Sequence, residues 1–356
     1  MSRLLVYFVV GWLIKLLITA AVLGWALFAG AQEIPQQRGP LGIQPTAERI
    51  ELGRKLFFDP RLSQDGTIAC ATCHDPARGW SDGRPVAVGI RNQAGTRNSP
   101  TVINATYNDL VFWDGRTIGA TTQALLPLVN PIEMGVQTEQ QVLQRLRLIP
   151  GYIALFAGAF PPSSYDPITR SPITGANLGL AISSFESTVV SFNAPIDRYL
   201  AGDDKALSAD AQVGYRIFQA AQCSRCHVPP LWTDNQFHNN GSEFAGKVAI
   251  TDQGRFGVVP ANRRTADTVR AFKTPTLREV RRTAPYMHAG QFSDLKRVAI
   301  HYNSGGANFQ GRVDRSIDPR IKPLGFNDTH LGYLVTFLEE GFSSPEYPLI
   351  EAPSLP

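Results

Sequence analysis

Cysteine is scarce in this chain. Its 356 residues hold four, Cys70, Cys73, Cys223 and Cys226, so any disulfide scheme is limited to two bridges. Net charge is also small: 34 basic against 30 acidic residues leave +4, too little to argue for a nucleic-acid partner. Alternation of apolar and polar residues is nearly absent, and no βαβ pattern flanks either cysteine pair. That excludes a thioredoxin-like site, which expects one C-x-x-C beside such a unit. No histidine lies between His74 and His227, and no acid occurs among residues 1–31.

What is present organises the rest. Cys70-Ala71-Thr72-Cys73-His74 recurs as Cys223-Ser224-Arg225-Cys226-His227, and the two copies use every cysteine. C-x-x-C-H is the attachment pattern of c-type haem. Thiols one helical turn apart can each form a thioether to a haem vinyl group, and the following histidine can bind iron as proximal ligand. Two disulfides would leave both trailing histidines as accidents. A structural zinc site could take four cysteines, but an exported chain more commonly uses them for haem.

Export is read from the first 31 residues. Arg3 and Lys15 are their only charges, Leu16 to Ala31 is an uncharged run, and it ends Ala29-Gly30-Ala31. This describes a signal peptide cleaved after Ala31. An uncleaved membrane anchor is the alternative, although Lys15 divides the apolar run into pieces shorter than the ~20 residues of a spanning helix. Cleavage lowers the charge to +2 and leaves 325 residues, enough for two cores.

The haem motifs sit in two degenerate copies of one unit. Leu-Gly-Arg-Lys-Leu-Phe at 52–57 parallels Val-Gly-Tyr-Arg-Ile-Phe at 213–218. Ser99-Pro100-Thr101-Val102 matches Thr274-Pro275-Thr276-Leu277, and each proline is followed fifteen residues later by glycine, Gly115 and Gly290. Amphipathic spacing predicts helices over 46–58 and up to the second motif. It predicts others after a capping box at Thr138 and Gln141, along Leu178, Ile182, Phe185 and Val189, and after Asp328. Pro161 to Asn177 reads as an internal loop and Asn193 to Asp204 as a link. The expected fold is all-α: two cytochrome c-like haem domains, pseudo-twofold related, with long loops. Residues 32–195 would carry the first haem and 196–356 the second.

Further stretches, Leu-Gly-Arg-Lys-Leu-Phe-Phe-Asp at 52–59, Phe-Trp-Asp-Gly-Arg at 112–116, Asn-Pro-Ile-Glu-Met at 130–134 and Thr-Ala-Pro-Tyr-Met-His at 283–288, complete a pattern. With both haem motifs, the chain resembles the bacterial di-haem cytochrome c peroxidases and their MauG-type branch from about Ile50 to Leu338. The resemblance implies that the haem held by His74 is peroxidatic and that held by His227 stores or relays the second electron. Members that need reductive activation carry a distal histidine where this chain has Ile90, which implies an open first site; Met134 is a conceivable ligand there. Glu133 is the implied acid–base group, although Asn130-Pro131-Ile132-Glu133 is also a good helix start. Gln123 would orient peroxide, Pro127 would shape the pocket, and Trp113 would lie between the haems as a charge relay. His288 would contact the second haem or its propionates. Tyr302 falls at the sixth-ligand position of that haem, with Met287, His288 and His301 as competitors. The family also holds a calcium ion, which maps to backbone oxygens of Asn98, Thr283 and Pro285.

Three functions compete. A periplasmic peroxidase would reduce hydrogen peroxide with electrons from a small cytochrome c or cupredoxin. A MauG-type enzyme would instead oxidise Trp or Tyr residues of a partner protein. Tyr302 and Ile90 favour that reading, whereas Gln219-Ala220-Ala221-Gln222 lacks the tryptophan expected ahead of the second motif. A non-enzymatic di-haem carrier would leave Glu133 and Gln123 without a role. A homodimer is consistent with such folds.

Overall fold

The structure, a computed structural model, describes residues 42, 44–244, 252–306 and 316–356. The proposed leader, residues 1–31, lies outside them. Helices dominate: α1 (Ala47–Phe57), α2 (Cys70–Cys73), α3 (Ala120–Gln123), α4 (Leu126–Val129), α5 (Glu139–Arg147), α6 (Pro150–Ala159), α7 (Gly175–Glu186), α8 (Pro195–Leu200), α9 (Ala209–Ala220), α10 (Leu295–Asn303) and α11 (Asp328–Gly341). Four two-residue strands form two antiparallel pairs, β1 (Leu110–Val111) with β2 (Thr117–Ile118), and β3 (Phe237–His238) with β4 (Phe272–Lys273). The chain is therefore mostly helical with a few short strands.

Side-chain caps set several starts. Thr46 Oγ1 accepts the Arg49 N–H at 3.3 Å, and Thr138 Oγ1 accepts that of Gln141 at 3.3 Å, each satisfying an otherwise orphan donor. The closing helix is capped by Asn327 rather than Asp328. Two other expectations shift. Thr174 caps α7, so the loop begun at Pro161 ends at Thr174, and the link at 193–204 contains α8, opened by Pro195 at a position where a missing N–H costs nothing.

Two apolar cores form. In the first, α1 crosses α7, and Phe57, Trp80 and Phe185 meet with ring centroids 5.3 to 6.0 Å apart. In the second, α9 crosses α11, with Phe218 5.4 Å from Phe337 and Trp232 4.9 Å from Phe342. Each crossing is tight for one reason. A Cβ on Gly53 would lie 1.9 Å from the Ala181 carbonyl oxygen, and one on Gly214 would lie 2.0 Å from that of Tyr333. The two glycines hold the same place in the sequence echo.

After α11 the chain returns to the first core. Tyr347 and Ile350 pack against it. The Tyr347 hydroxyl accepts the Gly79 N–H at 3.1 Å and donates to the Pro76 carbonyl. The Trp80 indole donates to the Pro348 carbonyl at 2.9 Å, and Lys55 Nζ to that of Ser354 at 2.6 Å. Buried Glu279 ties the return to the segment just ahead of the link: it accepts from Ser191 Oγ and the Ser344 N–H, both at 2.8 Å.

Candidate active site

Each histidine motif is built from a short turn. Cys70–Cys73 make one α-turn, closed by His74 N–H on the Cys70 carbonyl at 2.9 Å. Cys223–Arg225 make a 3-10 turn, closed by His227 on Cys223 at 3.0 Å. Both rings are then fixed from below. His74 Nδ1 lies 3.3 Å from the Trp80 carbonyl oxygen and His227 Nδ1 3.1 Å from that of Trp232. A carbonyl can only accept, so Nδ1 carries the proton and Nε2 keeps its lone pair. Both tryptophans adopt left-handed backbone angles, φ +58° and +56°, which turn their carbonyls toward the rings. Sequence reasoning missed these two residues, although a tryptophan follows each motif histidine by five or six residues.

Burial holds both imidazoles below their usual pKa, only partly offset by those hydrogen bonds, so the rings are neutral as a metal requires. Burial also pushes the thiols up, Cys70 and Cys223 to about 12 and Cys73 to about 11. All four are free of disulfide bridges, and burial disfavours the thiolate at Cys70, Cys73 and Cys223. This is a poor thiolate zinc site. Cys226, Asp234 and His238 do lie within 4.8 Å of one another, but Asp234 and Asp318 take both ring nitrogens of His238, each at 2.9 Å.

One cavity of about 990 Å³ is lined by both motifs. Four unbridged cysteines in its lining, anchored imidazoles with free Nε2 atoms and mainly apolar walls fit two covalently attached haems. Arg97, Arg116, Lys273 and Arg320 also line it, and cations of this kind suit propionates. Lys273 makes no ion pair among the described residues, and burial lowers its pKa to about 8.

On the first side stand Glu133, Gln123, Pro127 and Met134. Asn130 to Glu133 is not the helix start that its residues also allow; it is a turn. Asn130 Oδ1 caps the Ile132 N–H at 3.0 Å, and its Nδ2 donates to Glu133 Oε1 at 3.0 Å. Burial raises the Glu133 pKa, with Arg116 opposing. Gln123 closes α3, which α7 approaches closely at Gly179. Ile90 is 1% exposed and packs under Gly135, its N–H on the Glu133 carbonyl at 2.9 Å. Glu186, which sequence reasoning also missed, lines this side with its carboxyl pushed up to about 8 by burial.

Trp113 lines the same cavity. Its indole donates to the Asn98 carbonyl at 2.9 Å, and its own carbonyl accepts the Lys273 N–H at 2.7 Å, joining the halves. On the second side are Tyr302, Met287 and His288. His288 Nε2 is paired with the buried Glu243 carboxylate at 2.7 Å, and the ring stacks on Phe272 at 3.7 Å. His301 is not among the residues facing the cavity; its Nε2 meets the Asn240 carbonyl at 2.8 Å. Burial pushes the Tyr302 phenol up to about 12 despite a hydrogen bond from Asn240 that opposes it. Asn98, Thr283 and Pro285 line the same cavity, and the Asn98 N–H donates to the His288 carbonyl at 2.7 Å.

The family model for di-haem cytochrome c peroxidase matches residues 47–205. The methylamine utilization protein MauG of Methylorubrum extorquens is 38% identical over 334 residues, 93% of this chain and 87% of its own length. The chain belongs to this family. Cytochrome c551 peroxidase of Pseudomonas aeruginosa is 40% identical over 76% of this chain and 77% of that protein, so both kinds of relative are represented. Among solved structures, a MauG-like protein associated with microbial copper homeostasis has a TM-score of 0.74 at 27% identity, covering 90% of this chain and 99% of its own. A di-haem peroxidase from Burkholderia thailandensis shares the fold, with a TM-score of 0.71 at 23% identity, covering 85% of this chain and 87% of its own. The family implies two haem c groups and makes the chain a peroxidase-type oxidoreductase.

Proposed function

We propose that this chain is a periplasmic di-haem peroxidase that reduces hydrogen peroxide to water. Electrons enter from a small cytochrome c or cupredoxin by way of the second haem. The observation that supports this reading is one cavity lined by both motifs together with Glu133, Gln123, Trp113 and Tyr302. Two domains, 32–195 and 196–356 and related by a pseudo-twofold, are the organisation we infer from the two cores and the repeated helix crossings. Periplasmic location rests on the leader read from residues 1–31.

Bound at His74, haem iron supplies the redox chemistry: H2O2, two electrons and two protons give two waters. Glu133 would take a proton from the inner oxygen of hydrogen peroxide and return it to the outer oxygen, which leaves as water. Burial favours the protonated acid, which strengthens that return, and Asn130 holds the carboxyl in place. Gln123 donates to peroxide and orients it. Ile90 is packed away under Gly135, leaving the distal face to these two groups. Trp113, with its indole held by Asn98, is the oxidisable ring best situated to relay charge between the two histidines' sides. Tyr302 would ligate the second haem, and a hard anionic oxygen there favours oxidised iron. Carbonyl oxygens of Asn98, Thr283 and Pro285 with several waters would hold calcium, which tolerates such a shell.

The MauG-type reading, oxidation of Trp or Tyr on a partner protein, is favoured by Tyr302 and Ile90 and weakened by Gln219 to Gln222. The test is low-temperature EPR of the ferric protein before and after one equivalent of peroxide, beside turnover with a reduced cytochrome c. One high-spin and one low-spin signal with rapid turnover supports the peroxidase. The same signals with a long-lived oxidised state and no turnover favour the protein-oxidising reading. Two low-spin signals unmoved by peroxide would remove both.

A further inference from the structure

Two of the candidate sixth ligands of the second haem share one amide. Asn240 Nδ2 lies 3.0 Å from the Tyr302 hydroxyl oxygen and 3.4 Å from Met287 Sδ. The amide cannot be flipped without loss, because its Oδ1 accepts the Ser242 N–H at 3.1 Å. One N–H is therefore available for each partner. The backbone carbonyl of the same residue engages His301 Nε2 at 2.8 Å, so Asn240 touches three of the four candidate ligands. Asn240, Tyr302 and Met287 all line the cavity.

We propose that Asn240 is a positioning residue that selects Tyr302 over Met287 as the axial ligand of the second haem. The inference rests on the reading that Tyr302 is that ligand, and it says why the thioether within reach is not. A hydrogen bond donated to the phenol oxygen fixes Tyr302 in the cavity and leaves that oxygen a further lone pair for iron. The bond donated to Met287 does the reverse. Thioether sulfur is a weak acceptor, and the lone pair directed at the amide must be withdrawn before it can turn to iron. His301, fixed by the backbone of the same residue, is held out of the contest.

The test uses the full-length holoprotein with Asn240→Asp, which is isosteric and keeps an oxygen for Ser242 while losing both donors, and Asn240→Leu. The readouts are the long-wavelength absorption band of methionine-ligated ferric haem, the low-temperature EPR spectrum and the potential of the second haem. We expect the band to be absent in the parent protein and to appear in both variants with a raised potential. Adding Met287→Leu to either variant should abolish it. Variants that keep the parent spectrum and potential overturn the role of Asn240. Tyr302→Phe separates the two readings. If it alters the second haem while the Asn240 variants do not, only the selection falls; if it leaves the second haem unaltered, Tyr302 is not the ligand and both fall.

Discussion

The indole nitrogen of Trp80 donates to the carbonyl of Pro348 at 2.9 Å, 268 residues further along the chain. Trp80 is also the residue whose own carbonyl holds the His74 ring at 3.3 Å. The C-terminal return thus reaches the underside of the first haem's ligand. In the other half Trp232 holds His227 in the same manner, but its buried indole nitrogen has no acceptor among the described residues. The two proximal histidines are alike in their own shell and differ in what secures it.

Tyr347→Phe tests the return. It removes the bond to Gly79 and the bond to Pro76 while keeping the ring against Arg282 and the first core. At about 1 kcal/mol for each bond, the variant should lose about 2 kcal/mol and several degrees of Tm. Calorimetry checks the loss, and resonance Raman of the iron–histidine vibration checks its reach. The first haem should shift and the second should not. An unchanged melt would mean that the return is not held by Tyr347.

Glu133→Gln should leave both haems attached and slow the reaction with peroxide by ~10²-fold or more. Its pH profile carries a sign. Burial raises the carboxyl above its ordinary value of 4.5, so the form that accepts a proton is lost as pH falls through that raised value. The parent rate should fall on the acid side, and the Gln variant should be slow and flat there. Stopped-flow mixing with peroxide across pH decides it; parent-like kinetics in the variant would remove Glu133 from the chemistry.

How much could be read beforehand follows from what each residue depends on. The haem motifs, the capped helices at Thr46 and Thr138 and the α1 and α9 echo are local patterns, and a local pattern is written in adjacent residues. Gly53 and Gly214 were visible as an echo, but their purpose, a helix crossing, lies in the partner helices. Trp80 and Trp232 repeat after each motif and could have been noticed; their left-handed backbones could not. Asn240 comes from a loop far from Tyr302 and carries no motif. The mixed identity of Asn130-Pro131-Ile132-Glu133 resolves as a turn because the Met134 N–H is taken by the Pro127 carbonyl and that of Gly135 by the Asn130 carbonyl. Tertiary closure, rather than helix-start chemistry, decides it.

Gly214→Ala and Gly53→Ala should each be destabilising by more than a typical surface change. The added Cβ meets a backbone carbonyl at 2.0 or 1.9 Å, which cannot rotate away, so the crossing helices must separate. Overpacking of this kind costs about 1–3 kcal/mol. Denaturant melts measure it; values within ±0.5 kcal/mol, the ordinary range for surface substitutions, would mean that the crossing is looser than its geometry.

Glu186 sits at the C-terminal end of α7, 7% exposed and facing the first side of the cavity. Burial pushes its carboxyl up to about 8 from an ordinary 4.5. A folded state that holds a proton more tightly than the unfolded chain is favoured by acid. The stabilisation is full below about pH 4.5 and is lost as pH rises through about 8, at no more than about 1.4 kcal/mol per pH unit. Glu186→Gln keeps the shape and cannot ionise, so its stability should not fall over that window while that of the parent does. Denaturant melts of both proteins at several pH values between those limits, with haem content checked at each, make the comparison. If the two curves run parallel, the Glu186 carboxyl has the same pKa in the folded and unfolded chain, and burial does not hold its proton.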